Sequence, residues 1–295
     1  MYTEMILLIV FAIISKYLYY QYKQSEDLFE SQEHYKLVSE YFIDKGHKQK
    51  PILWIHSSTE LNSRNWESFM SRSSTKLNQP YLQLTMKFIY DHCKESFNIC
   101  LINDDSFASL LSWNIDLPDI ADPMKSHYRT LGLSMLLYEY GGMVVPQSFL
   151  CKKNLLPLQK PVFFMEEKNT GVSDHVYLPN THFMGCKKKN TTMKRFIAYQ
   201  EQLYKERTEQ SDFIGNTLLW LQREGVGVDG KWIGVKKIDE SPVLIDDLLG
   251  SSDISLPEHY GIYINQEEIL RRPKYSWFAR LSIPQLKEGQ FYLKF

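Results

Sequence analysis

The 295-residue chain contains no phosphate loop, no G-x-G-x-x-G fingerprint and no nucleophile elbow. Gly141-Gly142 and Gly225-Val-Gly227 are too short to cradle a phosphate, so nucleotidase, dehydrogenase and hydrolase readings drop out of the front rank. Charge of one sign is missing too. Lys and Arg total 34 against 35 Asp and Glu, a formal charge of -1, which leaves no field to draw the chain toward nucleic acid. Any binding must come from a local site. Cysteine is scarce: Cys93, Cys100, Cys151 and Cys186 form no close C-x-x-C pair and are too few for a disulfide scaffold. They read as buried thiols, and no metal ligand set is visible. Internal repeats and low-complexity linkers are likewise absent.

What is present is enough apolar material, 43%, to build a substantial core. One apolar run stands apart. Met5 to Ile14 is unbroken, and Tyr17, Leu18, Tyr19, Tyr20 and Tyr22 extend it past Lys16. As a helix, residues 5–22 would reach roughly 27 Å, just spanning a hydrocarbon core of about 30 Å. Lys16 would snorkel and the tyrosines would sit among headgroups. A cleaved signal peptide is the rival, but no basic segment precedes the run and no small-x-small site follows it. Residues 1–23 are therefore expected to be a single-pass membrane anchor. Lys16 and Lys23 keep the large domain on the cytoplasmic face, and 24–50 form a stalk helix.

The remainder, 51–295, reads as one domain. Pro51 to His56 is a buried first strand. Residues 78–94 form a helix opened by Asn78 and Pro80, and Asn98 to Ile102 is a second strand. A short helix over Ser106 to Leu111 precedes a long one from Asp122 and Pro123, stopped by Gly141-Gly142. Strands follow at Met143 to Val145, Val162 to Met165 and His182 to Gly185, then a helix over 192–207. Alternating strands and helices imply a mixed, mostly parallel α/β sheet covered on both faces, with the part after Gly225 wrapping back over it.

Open α/β sheets bind ligands beyond the carboxyl ends of their strands. That edge selects His56, Asp104 and Asp105, with Glu166 and Glu167. The two aspartates could hold a ribose hydroxyl or a hard cation. Asn-Asp-Asp-Ser equally reads as a turn and helix cap, Glu166 and Glu167 as a solvated strand end, and His56 as a packing residue.

Leu136-Leu-Tyr-Glu-Tyr-Gly-Gly-Met-Val-Val145 resembles the helix-to-strand hallmark of GT-A-fold glycosyltransferases with a DXD sugar-binding region, among them capsule-synthesis and mannosyltransferase-like enzymes. Leu53 to His56, Thr181 to Cys186 and Phe213 to Thr217 are similar to other segments of that fold, over roughly 51–220. The resemblance implies a GT-A-like domain, a nucleotide sugar donor and a glycan acceptor. It implies a donor site from His56, Asp104, Asp105, Arg129, Gly141 and Gly142, with Glu166, Glu167 and Asp212 as candidate catalytic carboxylates. The DXD motif is degenerate. Its aspartates fall on Pro146 and Ser148, and the upstream aspartate and arginine fall on Thr130 and Leu133, with Arg129 one turn away. Donor binding is accordingly expected to be metal-independent, with Arg129 or Lys125 meeting the diphosphate, or else to depend on Asp104 and Asp105. A non-catalytic structural or interaction module is the alternative, and a sugar-binding protein without turnover a third. The anchor, the Asn and Lys content and the degenerate core also resemble proteins of large DNA viruses.

Overall fold

The computed structural model describes residues 16, 38–43, 50–57, 79–168, 177–205, 210–224 and 226–295. Among them no helix is long and apolar enough to cross a membrane. The expected anchor, apart from residue 16, and most of the expected stalk lie outside these residues, as does Asn78. The chain divides into a unit over Met1–Tyr41 and a compact unit over Phe42–Phe295. The second carries the sheet, the cores and every residue of the site.

Its main sheet has six strands in the order β2-β1-β3-β6-β5-β7. These are β1 Ile52–His56, β2 Asn98–Ile102, β3 Gly142–Val144, β5 Val162–Lys168, β6 Tyr177–Cys186 and β7 Gly227–Val228. β1 pairs parallel with β2 and β3, and β5 with β7. β6 runs against both β3 and β5, making the sheet mixed but mostly parallel. A second sheet joins β4 Phe149–Cys151 to β8 Gly261–Tyr263, antiparallel.

Side chains of a strand alternate between faces, and here both faces are apolar because both are covered. Leu53, Ile55, Ile99, Met143, Val145, Phe163 and Met165 point into one core, where Ile89 and Cys93 of helix α1 (Tyr81–Cys93) meet them. Trp54, Val144 and Phe164 occupy the alternate positions. On that side Trp54 packs on Tyr140 of α3 (Met124–Tyr140), and Phe164 meets Phe196 of α4 (Thr191–Lys205) edge to face. Phe196 then packs at a tilt against Trp220 of α5 (Gln210–Arg223). The short α2 (Ser106–Leu110) sits by the end of β2.

The long helix ends where two glycines require it. Gly141 closes α3 with its N–H on Leu137 O, and Gly141 and Gly142 have φ of 74° and 102°. A Cβ on Gly142 would lie 2.2 Å from Ile52 O, so only glycine lets β3 lie against β1. Trp54 locks the junction, its Nε1 donating to Gly141 O at 2.9 Å.

The C-terminal part is more regular than the sequence suggests. Besides β7 and β8 it forms α6 Ile245–Leu249, α7 Gln266–Arg271, α8 Ser276–Ala279 and α9 Ile283–Glu288. Ile245, Leu248, Ile262, Phe278, Leu286 and Leu293 build a second core against Tyr81, Leu82 and Leu84 of α1. It therefore covers α1 and the β4-β8 sheet.

A carboxylate held by arginine and histidine

β1 and β2 run in register, with His56 beside Ile102, so their following loops leave the same edge. In the second loop the turn chemistry falls to Asn103. Its Oδ1 accepts from Ser106 N at 3.1 Å and Ser106 Oγ at 2.8 Å, and Ser106 Oγ accepts from Asn103 N. Asp104, released from capping, turns its side chain inward. Asp105 is exposed, and Asn103 Nδ2 lies 3.4 Å from its Oδ2.

The Asp104 carboxylate gathers three contacts. His56 Nε2 lies 2.9 Å from Oδ1, Arg129 Nε donates to Oδ1 at 2.9 Å, and Arg129 Nη2 donates to Oδ2 at 2.7 Å. Arg129 comes from the second turn of α3, and His56 stacks on Phe107 of α2 with ring centroids 5.6 Å apart. Burial pushes the Asp104 pKa up. Hydrogen bonds from His56 and Arg129 outweigh it and hold the carboxyl well below the usual range. Asp104 is thus an anion at any physiological pH, tied in a partly buried cluster.

Three of the predicted donor residues, His56, Asp104 and Arg129, therefore converge, and Asp105 stands beside them facing solvent. Gly141 and Gly142 do not join them. Gly142 lies against Ile52 at the amino end of β1 and Gly141 against Cys186 and Lys188, whereas His56 closes the carboxyl end of β1, and the visible work of the two glycines is the tight join of α3 to β3.

The segment after β3, where a DXD motif would stand, does not fit a metal. Pro146 and Ser148 carry no carboxylate, and Gln147 and Ser148 are buried. Gln147 O accepts from Thr85 Oγ1, and Ser148 O from Ile264 N. The donor set and the packing both exclude a hard cation there.

Glu166 and Glu167 lie near the end of β5 and point to different partners. Glu166 Oε2 accepts from Lys236 Nζ at 2.8 Å. Glu167, 7% exposed, contacts His182 Nδ1 at 3.2 and 3.1 Å, and Tyr263 Oη lies 3.4 Å from the same nitrogen. Asp212 lies on α5, and its side chain is not among those described. His182 escaped the sequence reading, which counted it only as the start of a strand. β6 begins five residues earlier than that, and its register against β5 jumps from Met184 to Pro179. The irregular stretch turns His182 toward Glu167. The polar run Asn180-Thr181-His182 before Phe183-Met184 was the sign of it.

No family model matches the chain. No curated relative matches it either. Among solved structures it is similar to the PaToxG glycosyltransferase, with a TM-score of 0.36 and 10% identity over 70% of this chain and 79% of that one. It is also similar to the galactosyltransferase LgtC in complex with donor and acceptor sugar analogues, with a TM-score of 0.31 and 13% identity over 60% and 72%.

Proposed function

We propose that this chain is a glycosyltransferase-like protein whose donor, a nucleotide sugar, lies in the crevice beyond β1 and β2 and is bound without a carboxylate-held metal. The observation that carries it is the meeting of His56, Asp104 and Arg129 at the carboxyl edge of the sheet, where open α/β folds place ligands. A carboxylate offers roughly four acceptor positions, and three on Asp104 are taken, leaving one for a ribose hydroxyl. Lys125, one helical turn before Arg129, would meet the diphosphate, where fixed positive charge favours departure of the leaving group.

The same cluster favours a second reading. Each Asp104 oxygen already has a partner within the chain, as it would in a non-catalytic module that keeps the fold for structure or interaction. Titrating the purified full-length chain with nucleotide sugars, with manganese or with chelator, separates the two. Binding on the order of micromolar, insensitive to chelator and lost in Arg129→Lys, supports the donor site. No binding by folded protein leaves the module.

Residues 1–23 we place in a membrane, with the domain on the cytoplasmic side. Recovery of the intact chain in the soluble fraction after alkaline carbonate extraction would remove the anchor, and protection of the domain from added protease would reverse its orientation.

A further inference from the structure

Cys93 and Cys151 bring their sulfurs to 4.0 Å from each other inside the core beneath the main sheet, where both residues are fully buried. Cys93 closes α1 just before the amino end of β2, and Cys151 ends β4, so the pair lies away from the carboxyl edge that carries His56. We propose that these two thiols are a modification site, oxidised by a peroxide to a disulfide that ties α1 to β4.

At that distance the sulfurs are in direct contact, and side-chain rotation can bring them toward the bond length of about 2 Å that a disulfide needs. The segments that carry them are tied at a second point, where Asn154 Nδ2 donates to Ser96 Oγ at 2.5 Å. The other two cysteines are also buried but have no sulfur partner among the described residues. Cys186 Sγ donates to Leu137 O at 3.3 Å, and burial pushes the Cys100 thiol up.

The pair is asymmetric, which sets the order of the steps. The thiol proton of Cys151 has two acceptors in reach, Lys153 O at 3.1 Å and the Cys93 sulfur. Donated to Cys93, it lowers the pKa of that thiol against the cost of burial, and a backbone hydrogen bond from Leu155 adds to the effect. Cys151 moves the other way, because its proton is held on Cys93 and its surroundings are apolar. Cys93 is thus the sulfur that ionises. Its thiolate attacks one oxygen of hydrogen peroxide, the O–O bond breaks and hydroxide leaves, giving a sulfenic acid. The Cys151 sulfur then attacks Cys93, the S–O bond breaks, and water departs with the Cys151 proton. Two thiols and one hydrogen peroxide give one disulfide and two waters. The path in is short. The turn whose backbone meets both sulfurs, 152–156, has Lys152, Lys153 and Leu156 exposed, and hydrogen peroxide is little larger than water.

Hydrogen peroxide added to the reduced, folded full-length chain tests this, followed by alkylation in denaturant and non-reducing peptide mapping. A disulfide between Cys93 and Cys151 should appear and be reversed by dithiothreitol, with Cys100 and Cys186 still alkylated. The oxidised chain should unfold at a higher urea concentration, because the bridge joins residues 58 apart and restricts the unfolded chain. Dimedone, which traps sulfenic acids, should label Cys93 in Cys151→Ser and no cysteine in Cys93→Ser. No disulfide in the folded chain, a disulfide to any other cysteine or between two chains, or a urea midpoint that does not rise would overturn the proposal. Dimedone labelling of Cys151 in Cys93→Ser would overturn the order of its steps. The mapping uses the natural chain, so it decides the matter even if a serine variant fails to fold.

Discussion

Arg129 grips Asp104 at two points, Nε on Oδ1 and Nη2 on Oδ2, from a helix that follows β2 by more than twenty residues. The contact joins α3 to the edge of the sheet, and both side chains are mostly buried, at 13% and 18% exposed. Removing Asp104 takes the two-point ion pair from a mostly buried guanidinium. Asp104→Ala should therefore lower unfolding free energy by about 2–4 kcal/mol, less than a fully buried pair because some water reaches it. Urea unfolding measures this. Arg129→Lys keeps the charge but loses the two-point geometry and should cost less than Asp104→Ala.

The same pair predicts an acid-dependent difference. The folded pKa of Asp104 is depressed, so its contribution is present above the unfolded carboxylate value and is lost as pH falls through the folded one. The stability gap between the natural chain and Asp104→Asn should be constant near neutrality and shrink steadily below about pH 4. A gap independent of pH down to acid unfolding would contradict the ion pair.

For His182 the sign is opposite. Its folded pKa is raised from 6.5 to about 9, so its pairing with Glu167 stabilises fully below about pH 6.5 and fades as pH rises through about 9. Glu167→Gln should remove that alkaline loss and bring the imidazole titration, followed by NMR, back toward its ordinary value. An unchanged titration would show that Glu167 does not hold the proton.

How much of this was legible depends on the range of the interactions. β1, β2 and the join of α3 to β3 were readable because apolar runs and glycine stops are local signals. His56, Asp104 and Arg129 were readable as a group because strand ends share an edge once a parallel sheet is assumed. The β4-β8 pairing was not, since Phe149–Cys151 and Gly261–Tyr263 lie over a hundred residues apart and neither run is long enough to announce a strand. Glu167 and His182 were missed as a pair because a register jump in β6 brings them together, and such jumps leave no pattern in composition. Gly141 and Gly142 were read as site residues from the resemblance, while their backbone angles assign them a steric task.

That task gives a sharp prediction. Any side chain on Gly142 meets the Ile52 carbonyl, backbone that cannot swing aside, and φ of 102° is strained for every L-residue. Gly142→Ala should already cost roughly 3–5 kcal/mol, and Gly142→Val at least as much. Thermal unfolding is the check. A variant with native stability would mean that β3 does not lie against β1 as described.

The turn after β3 allows the metal question to be tested by restoring what it lacks. Replacing Pro146 and Ser148 with aspartate recreates the spacing of a DXD motif, and in an exposed loop two carboxylates at that spacing could collect a divalent ion. Here the loop is packed: Ser148 is 2% exposed, and Gln147 lies under Thr85 and Met86 of α1. An aspartate at 148 would be buried away from solvent, at a cost of about 2–4 kcal/mol. The double variant should therefore unfold more easily than the natural chain and gain no stoichiometric manganese binding by calorimetry. If the proposed donor site of Asp104, Arg129 and Lys125 is right, nucleotide-sugar affinity of the natural chain should in turn be the same with manganese and with chelator. Tight manganese binding by the double variant would show that the turn opens in solution. Loss of donor binding on chelation would place a metal in the natural site and remove the metal-free reading.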